Sequence, residues 1–190
     1  MLKSVIVFFQ QELSNYLAST GAANPEVKFP SALSGGESVD FEKSALNFLM
    51  INLEEENTLR QADIFLHKKN GHAFPAAPEI RLNLYLLFVA NMSDYPTSMD
   101  LLSRVIRFFQ ARRVFDHHNT PQLPAEIEKL SVELITLPFA QQNEVWNALR
   151  TSYKPSLLYK VRMVVFSPEE PVAPGAVITV SEKTINPRGN

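Results

Sequence analysis

The sequence predicts one α+β domain, in which a mixed or antiparallel sheet of four or more strands packs with about three helices. Apolar residues recur at helical spacing in three segments, and four other segments alternate or form short apolar runs. The predicted elements follow one another without an internal repeat. The chain has 190 residues, 45% hydrophobic and 20% charged, which suits one globular domain with a sizeable core. We expect a domain over residues 1–166 and an extended tail over residues 167–190.

The first part of the chain predicts a helix, a long connection and a buried strand. Residues 2–19 place apolar side chains on one stripe at spacings of three and four, typical of an amphipathic helix. Residues 21–40 are rich in Gly, Ala, Ser, Asn and Pro and predict a connection with one short strand at residues 27–29. Residues 45–53 form a nearly continuous apolar run, so we expect both faces of that strand to be covered.

A hairpin and a central strand are predicted next. Residues 61–78 are polar and contain Asn70-Gly71, a strong signal for a two-residue hairpin turn. We therefore expect a protruding two-stranded arm. Residues 80–91 alternate between two faces, which predicts a central strand of the sheet.

A long helix is predicted after a turn at Tyr95-Pro96. Residues 98–113 carry a broad apolar face at helical spacing. Asp100 lies near the predicted start and two arginines lie at the end, an arrangement that complements the helix dipole.

The last part of the domain predicts strand, helix and strand. Residues 127–137 indicate a third strand, and Pro138 opens a short helix that ends near Thr151. Residues 157–166 indicate a fourth strand. Three prolines then predict an extended segment, and residues 177–180 have the composition of an edge strand or of an arm that reaches a neighbour.

Composition excludes several classes of function. The net charge of −2 argues against a duplex-DNA binder, because such proteins usually present a basic face. With 0 Cys the chain has no cysteine nucleophile, thiolate metal site or disulfide, and its 6 Gly form neither phosphate-binding pattern. The apolar run at residues 5–9 is too short for a membrane span or a secretory leader. We expect a cytoplasmic origin and no membrane partner.

The candidate catalytic and metal-ligating residues are few. Adjacent His117 and His118 point in different directions on a helix or strand, so an exposed loop is favoured over a metal site. His67 and His72 flank the predicted hairpin turn, where they either ligate a metal or lie in solvent. The glutamates at 54–56 offer paired carboxylates, but three successive acids more often form a solvated or salt-bridging surface. We predict no catalytic residue, no cofactor and no metal.

Two segments indicate protein partners instead. One places acids, an amide and an arginine after the predicted buried strand, and the other leads through a proline into a strand with aromatic and basic side chains, which are favoured at interface hot spots. Core packing stays an alternative for Tyr159, and an ion pair within the subunit for Arg60 and Arg162. With the hairpin turn added, the predicted interface residues are Glu54, Glu55, Glu56, Asn57, Arg60, Asn70, Gly71, Tyr153, Pro155, Tyr159 and Arg162.

Four stretches together resemble a known family in their order and spacing. They are residues 51–60, residues 82–88, residues 105–110 with Pro121 and Leu123, and residues 146–149 leading to residues 153–163. The chain resembles the tail-cap, or terminator, family of phage-tail-like contractile injection systems, the group that includes virulence-cassette and antifeeding-prophage particles. The resemblance covers the chain from the first helix to about Phe166, and none of its motifs is catalytic.

The resemblance implies a fold and a role. It implies a compact α+β subunit that assembles with copies of itself, as a hexameric ring, on the end of the inner tube and sheath. Such a cap ends polymerisation and anchors the sheath. The implied partners are the chain itself and the tube and sheath proteins, with no nucleic acid and no membrane, and assembly takes place in the cytoplasm. Longer members of the family carry an additional C-terminal part, and this chain ends soon after the first domain.

Two other readings of the residues stay open. One is a nucleic-acid-binding adaptor with the arginines of the long helix as its footprint. The other is a small hydrolase that uses His117 or His118 with Glu54. The arginines of the first alternative are Arg104, Arg107, Arg112 and Arg113.

Overall fold

The computed structural model describes residues 1–20, 25–32, 38–56, 66–69, 72–75 and 80–166. The helices are α1 (Leu2–Thr20), α2 (Tyr95–Ala111) and α3 (Phe139–Ala148). The strands are β1 (Glu26–Lys28), β2 (Ser31–Ala32), β3 (Val39–Asp40), β4 (Ala45–Glu55), β5 (Leu66–Lys69), β6 (His72–Pro75), β7 (Ile80–Asn91), β8 (Val114–Asp116), β9 (Lys129–Ile135) and β10 (Ser156–Phe166). The predicted α+β class is confirmed.

Six of the strands form one mixed sheet in the order β1-β4-β7-β10-β9-β8. Only β1 and β4 are parallel, and every other pair in this sheet is antiparallel. The predicted central strand is confirmed, since β7 lies between β4 and β10. The pairing of β4 with β7 shifts between Met50 and Asn52, and that of β10 with β7 shifts between Val161 and Val164, so each outer partner carries a bulge.

Helices α1 and α2 cover one face of this sheet. The predicted stripe of α1 is confirmed, with Val5, Phe9 and Leu13 fully buried, and Phe8 joins it. Rings from α1, α2 and the sheet meet in edge-to-face and tilted contacts. Phe9 lies 5.9 Å from Phe109, whose ring centroid lies 4.5 Å from that of Tyr159. Apolar area removed from water and these ring contacts stabilise this face.

The predicted turn at Tyr95-Pro96 is wrong, because both residues belong to the first turn of α2. Asp94 caps the helix: its Oδ1 accepts a hydrogen bond from the Thr97 backbone N–H at 2.9 Å. A proline in the first turn costs no hydrogen bond, since the N–H groups there have no intrahelical partner. The dipole expectation for Asp100 is also wrong; Asp100 lies beyond the first turn and pairs with Arg104 at 2.7 Å.

Helix α3 covers part of the opposite face. Its buried Trp146 packs in a second apolar cluster with Phe41, Leu87, Val89 and Leu158. The predicted short helix is therefore confirmed, with Pro138 directly before it. The backbone N–H of Val39 in β3 donates to the carbonyl of Leu149 at 3.1 Å and links β3 to the end of α3.

The expectation that β4 is covered on both faces holds only at its start. Ala45 to Phe48 are buried, whereas Met50 and Leu53 are each 40% exposed. Both of these side chains lie outside the two apolar clusters. The strand also continues through Glu55 instead of ending at the first glutamate, because the backbone pairing with β7 extends to Leu82.

The predicted hairpin is confirmed in its strands. Strand β5 pairs with β6 in antiparallel register, with Lys69 opposite His72 and His67 opposite Phe74. The two histidines are therefore diagonal neighbours in this register and not directly opposite each other. Asn70 and Gly71 lie outside the described residues, as do the predicted tail at residues 167–190 and its edge strand at 177–180.

Candidate functional site

A set of polar side chains occupies the face of the sheet that carries α3, beyond the second apolar cluster. Alternation along β7 places Tyr85 on the same face as Leu87, and alternation along β10 places Lys160 and Arg162 on the same face as Leu158. The bulge in β4 brings Glu54 opposite Asn83. This polar patch consists of Glu54, Asn83, Tyr85, Glu133, Lys160 and Arg162.

Glu54 is the centre of the polar patch. The Tyr85 hydroxyl donates to Glu54 Oε2 at 2.6 Å, and Lys160 Nζ donates to the same oxygen at 3.2 Å. Lys160 Nζ also lies 5.2 Å from the centroid of the Tyr85 ring, within range of a cation–π interaction. Lys160 and Glu54 are 14% and 50% exposed, so the ammonium is held below a carboxylate that faces solvent.

These contacts shift two pKa values. The hydrogen bond from Tyr85, followed by the hydrogen bond and charge of Lys160, lowers the pKa of Glu54 below its usual range. Burial acts to lower the pKa of Lys160, but the hydrogen bonds and charges of Tyr85 and Glu54 together outweigh it and raise the pKa. Both groups are therefore charged at neutral pH. The arrangement suits a fixed charge pair and not a general acid or base, which needs a pKa near the working pH.

Two further pairs extend the polar patch. Arg162 Nη2 lies 2.7 Å from Glu133 Oε2 across the β10–β9 pair, and both side chains are about half exposed. Asn83 Nδ2 donates to Glu56 Oε2 at 2.9 Å, while Asn83 Oδ1 is buried without a hydrogen-bond partner.

The structure separates the residues that the sequence grouped. Glu54 and Arg162 lie in the polar patch, and Glu56 contacts it through Asn83. Glu55 pairs with Leu82, which packs against the cluster under α1 and α2, so Glu55 lies on the other face of the sheet. Asn57 and Arg60 lie outside the described residues, together with the hairpin turn.

The remaining predicted residues lie near the end of α3 or in the core. Tyr153 is 62% exposed and packs against Trp146 with 5.4 Å between ring centroids, and the carbonyl of Pro155 accepts from the Ala90 N–H at 3.0 Å. Tyr159 is 3% exposed and packs between Phe88 and Phe109. The structure therefore favours the core-packing alternative for Tyr159.

Sequence reasoning missed Tyr85, Lys160 and Glu133 as members of the site. Each is a polar residue at an alternating position of a strand with apolar neighbours, which is the available signal. Their mutual contacts depend on the strand order β4-β7-β10-β9, which one sequence does not display.

The geometry argues against the alternative of a small hydrolase that uses His117 or His118 with Glu54. His117 and His118 lie exposed in the turn after β8, and Glu54 is engaged by Tyr85 and Lys160. Within the described ranges no group of three or more His, Asp or Glu side chains is placed to hold a metal ion.

The arginine footprint of the nucleic-acid alternative is also reduced. Arg104 pairs with Asp100, and Arg112 Nη1 pairs with Glu12 Oε2 of α1 at 3.2 Å. Two of the four arginines are thus partly neutralised within the subunit.

A cavity of about 220 Å³ lies between α3 and the strands β9 and β10. Its polar lining comes from Thr136, Gln142 and Ser156, and the rest is apolar. None of its lining residues is ionisable, so the cavity offers no acid–base pair. Among the helices of the described residues, none combines the length and apolar character that crossing a membrane requires.

The fold is similar to those of two solved structures. One is a sheath/tube terminator of the extracellular contractile injection system PVC in the extended state, with a TM-score of 0.61 and 13% identity over 97% of this chain and 64% of that chain. The other is the tube-terminating cap of the anti-feeding prophage, with a TM-score of 0.59 and 12% identity over 96% of this chain and 62% of that chain. The chain thus spans less than two thirds of either structure.

The family follows from the sequence itself. The family described as the Pvc16 N-terminal domain matches residues 4–179, and the chain belongs to it. This match confirms the resemblance to tail-cap proteins. A comparison with curated proteins gave no match.

Proposed function

We propose that this chain is a structural cap that ends the inner tube and sheath of a contractile injection particle. The observation that supports the proposal most directly is the family match over residues 4–179. The two structures of similar fold are themselves a sheath/tube terminator and a tube-terminating cap. The role we propose is one of assembly, without catalysis, at the end of a phage-tail-like particle.

The proposed partners are copies of the chain, in a six-membered ring, together with tube and sheath subunits. A ring requires two different surfaces on each subunit that meet on rotation. We propose the polar patch, with Glu56 that contacts it through Asn83, as a contact surface for tube or sheath subunits. Its side chains stand on paired strands and are already fixed by one another, so little conformational entropy is lost when a partner docks.

Particle length tests the cap role. Particles assembled without the chain should be long and variable, and addition of the chain should restore a narrow length distribution in electron micrographs. A distribution that does not depend on the chain would contradict the proposal.

A charge reversal tests the contact surface. Arg162→Glu should broaden the particle-length distribution and leave the melting temperature nearly unchanged, because an exposed ion pair contributes little to folding. Arg107→Glu is the matched control, since Arg107 is exposed on α2, which covers the opposite face of the sheet. Equal effects of the two variants, or no effect of Arg162→Glu, would exclude the polar patch as a contact surface.

A further inference from the structure

The outer edge of β4 is longer than the strand that covers it. Strand β1 pairs only with Ala45, Leu46 and Asn47, whereas β4 continues to Glu55. In the part of the chain that the structure describes, no strand lies against residues 48–53 on the side away from β7. Along this stretch the edge can accept the backbone hydrogen bonds of another strand.

This edge carries one protective feature, the bulge between Met50 and Asn52, but neither proline nor a charged residue before Glu54. Natural edges are short, are bulged, or carry charges or proline that block pairing with another chain. Here residues 48–51 and residue 53 are apolar, Met50 and Leu53 are substantially exposed, and the charged residues begin only at Glu54. An exposed apolar edge of this length is suited to strand addition.

We propose that residues 177–180 of a neighbouring copy add to this edge as an extra strand. Their sequence is Val-Ile-Thr-Val, four β-branched residues of high β propensity. The family match extends to residue 179, beyond the end of β10 at Phe166, so it includes the first three residues of this segment. The inference rests on the self-association that the proposed cap requires and names the contact that produces it.

The spacer before this segment favours a neighbour over the same chain. Strands β4 and β10 run in the same direction with β7 between them, so the two edges are separated by about 10 Å, two strand spacings. Residues 167–176 contain Pro168, Pro171 and Pro174, at the three-residue period of polyproline II. Ten residues in that conformation would extend about 30 Å, at about 3.1 Å per residue, which is enough to reach a neighbouring copy.

Cross-linking between two single-cysteine proteins tests this contact. The chain contains 0 Cys, so an engineered pair gives an unambiguous disulfide. Met50→Cys protein is mixed with protein carrying Val177→Cys, Ile178→Cys or Thr179→Cys, and oxidised dimers are counted on non-reducing gels. Cross-strand neighbours on one face lie about 5 Å apart, within reach of a disulfide. We expect Met50→Cys to cross-link to alternate tail positions, either to 178 alone or to 177 and 179, several-fold more than to the others.

The controls separate this contact from other modes of association. Gln141→Cys, on the exposed surface of α3, replaces Met50→Cys and should cross-link to none of the tail positions above background. Dimers of Met50→Cys with itself would indicate that two β4 edges pair, and an intrachain bond in the double variant would place the tail on its own sheet. Either result, or equal cross-linking at all tail positions, overturns the proposal. Cross-linking requires no particle, so its failure is distinct from a failure of capping.

Discussion

Tyr159 distinguishes core packing from a direct role in assembly. The residue is 3% exposed, and its ring centroid lies 4.5 Å from that of Phe109 and 5.8 Å from that of Phe88. Tyr159→Ala therefore leaves a cavity between the sheet and helices α1 and α2. Truncating a buried aromatic ring costs about 3–5 kcal/mol. With a urea m-value of about 2 kcal/mol per M, the unfolding midpoint should fall by about 1.5–2.5 M.

The assay is urea unfolding followed by circular dichroism, with Tyr153→Ala as the matched control. Tyr153 is largely exposed, so its truncation should change the free energy of unfolding by less than about 1 kcal/mol. If Tyr159→Ala is too unstable to purify, Tyr159→Leu should fold with a smaller loss. An unchanged midpoint for Tyr159→Ala, with assembly lost, would refute the packing argument and restore Tyr159 as an interface residue.

Four further predictions follow from particular contacts. Asp94→Ala should lower the melting temperature by about 2–4 °C, as expected for a lost helix cap. The Thr97 hydrogen bonds lower the pKa of Asp94, so the stability that the ionised cap adds is complete above the ordinary carboxyl pKa and is lost as the pH falls through the lowered pKa. Asp94→Asn keeps a capping side chain that does not titrate, and an acid dependence of stability unchanged in that variant would contradict the assignment to Asp94. Burial, opposed by the charge of Arg113, raises the pKa of Tyr159 to about 12. The stability of the fold should therefore decline as the pH rises from 10 towards 12, because the unfolded chain loses the phenolic proton first. Tyr159→Phe should remove that part of the decline in thermal melts. Arg112→Met should lower the free energy of unfolding by about 1–3 kcal/mol, because it leaves the mostly buried Glu12 carboxylate without its cation. Glu12→Gln should lower it less, and the reverse order in urea titrations would exclude this account of the ion pair. Removal of residues 168–190 should leave a folded protein with a reduced oligomer mass by light scattering, and loss of the folded monomer would count against a role in assembly.

The sequence predicted the long elements well and the short ones poorly. Helices α1 and α2 and strand β7 each present several periods of their pattern, so their class is fixed locally. Strands β2, β3 and β8 have two or three residues each, too few for a period to appear. They form because neighbouring segments offer hydrogen bonds, as when Phe115 pairs with Leu130.

The sequence predicted only part of the candidate site, because contacts between distant segments leave no local pattern. Glu54 and Arg162 stood out by residue type, but their partners did not. Lys160 meets Glu54 across an intervening strand, 106 positions away in sequence, and the bulge in β4 decides which glutamate faces Tyr85. Because a shift of one residue reverses the faces of a strand, the bulge could not be located from the apolar pattern alone.

The β4 edge and the polar patch adjoin at Glu54 but present different groups, backbone hydrogen bonds along the edge and charged side chains on the face that carries α3, and this difference has a consequence for the proposed ring. A closing ring needs a surface and its complement on each subunit, which the β4 edge and the tail segment supply. The polar patch then stays available for tube or sheath subunits. Arg162→Glu should therefore impair capping without changing the mass of the oligomer, whereas removal of residues 168–190 should reduce both. Light scattering and particle length measured on the same two proteins distinguish these outcomes, and a loss of oligomer mass in Arg162→Glu would show that the two surfaces serve one interface.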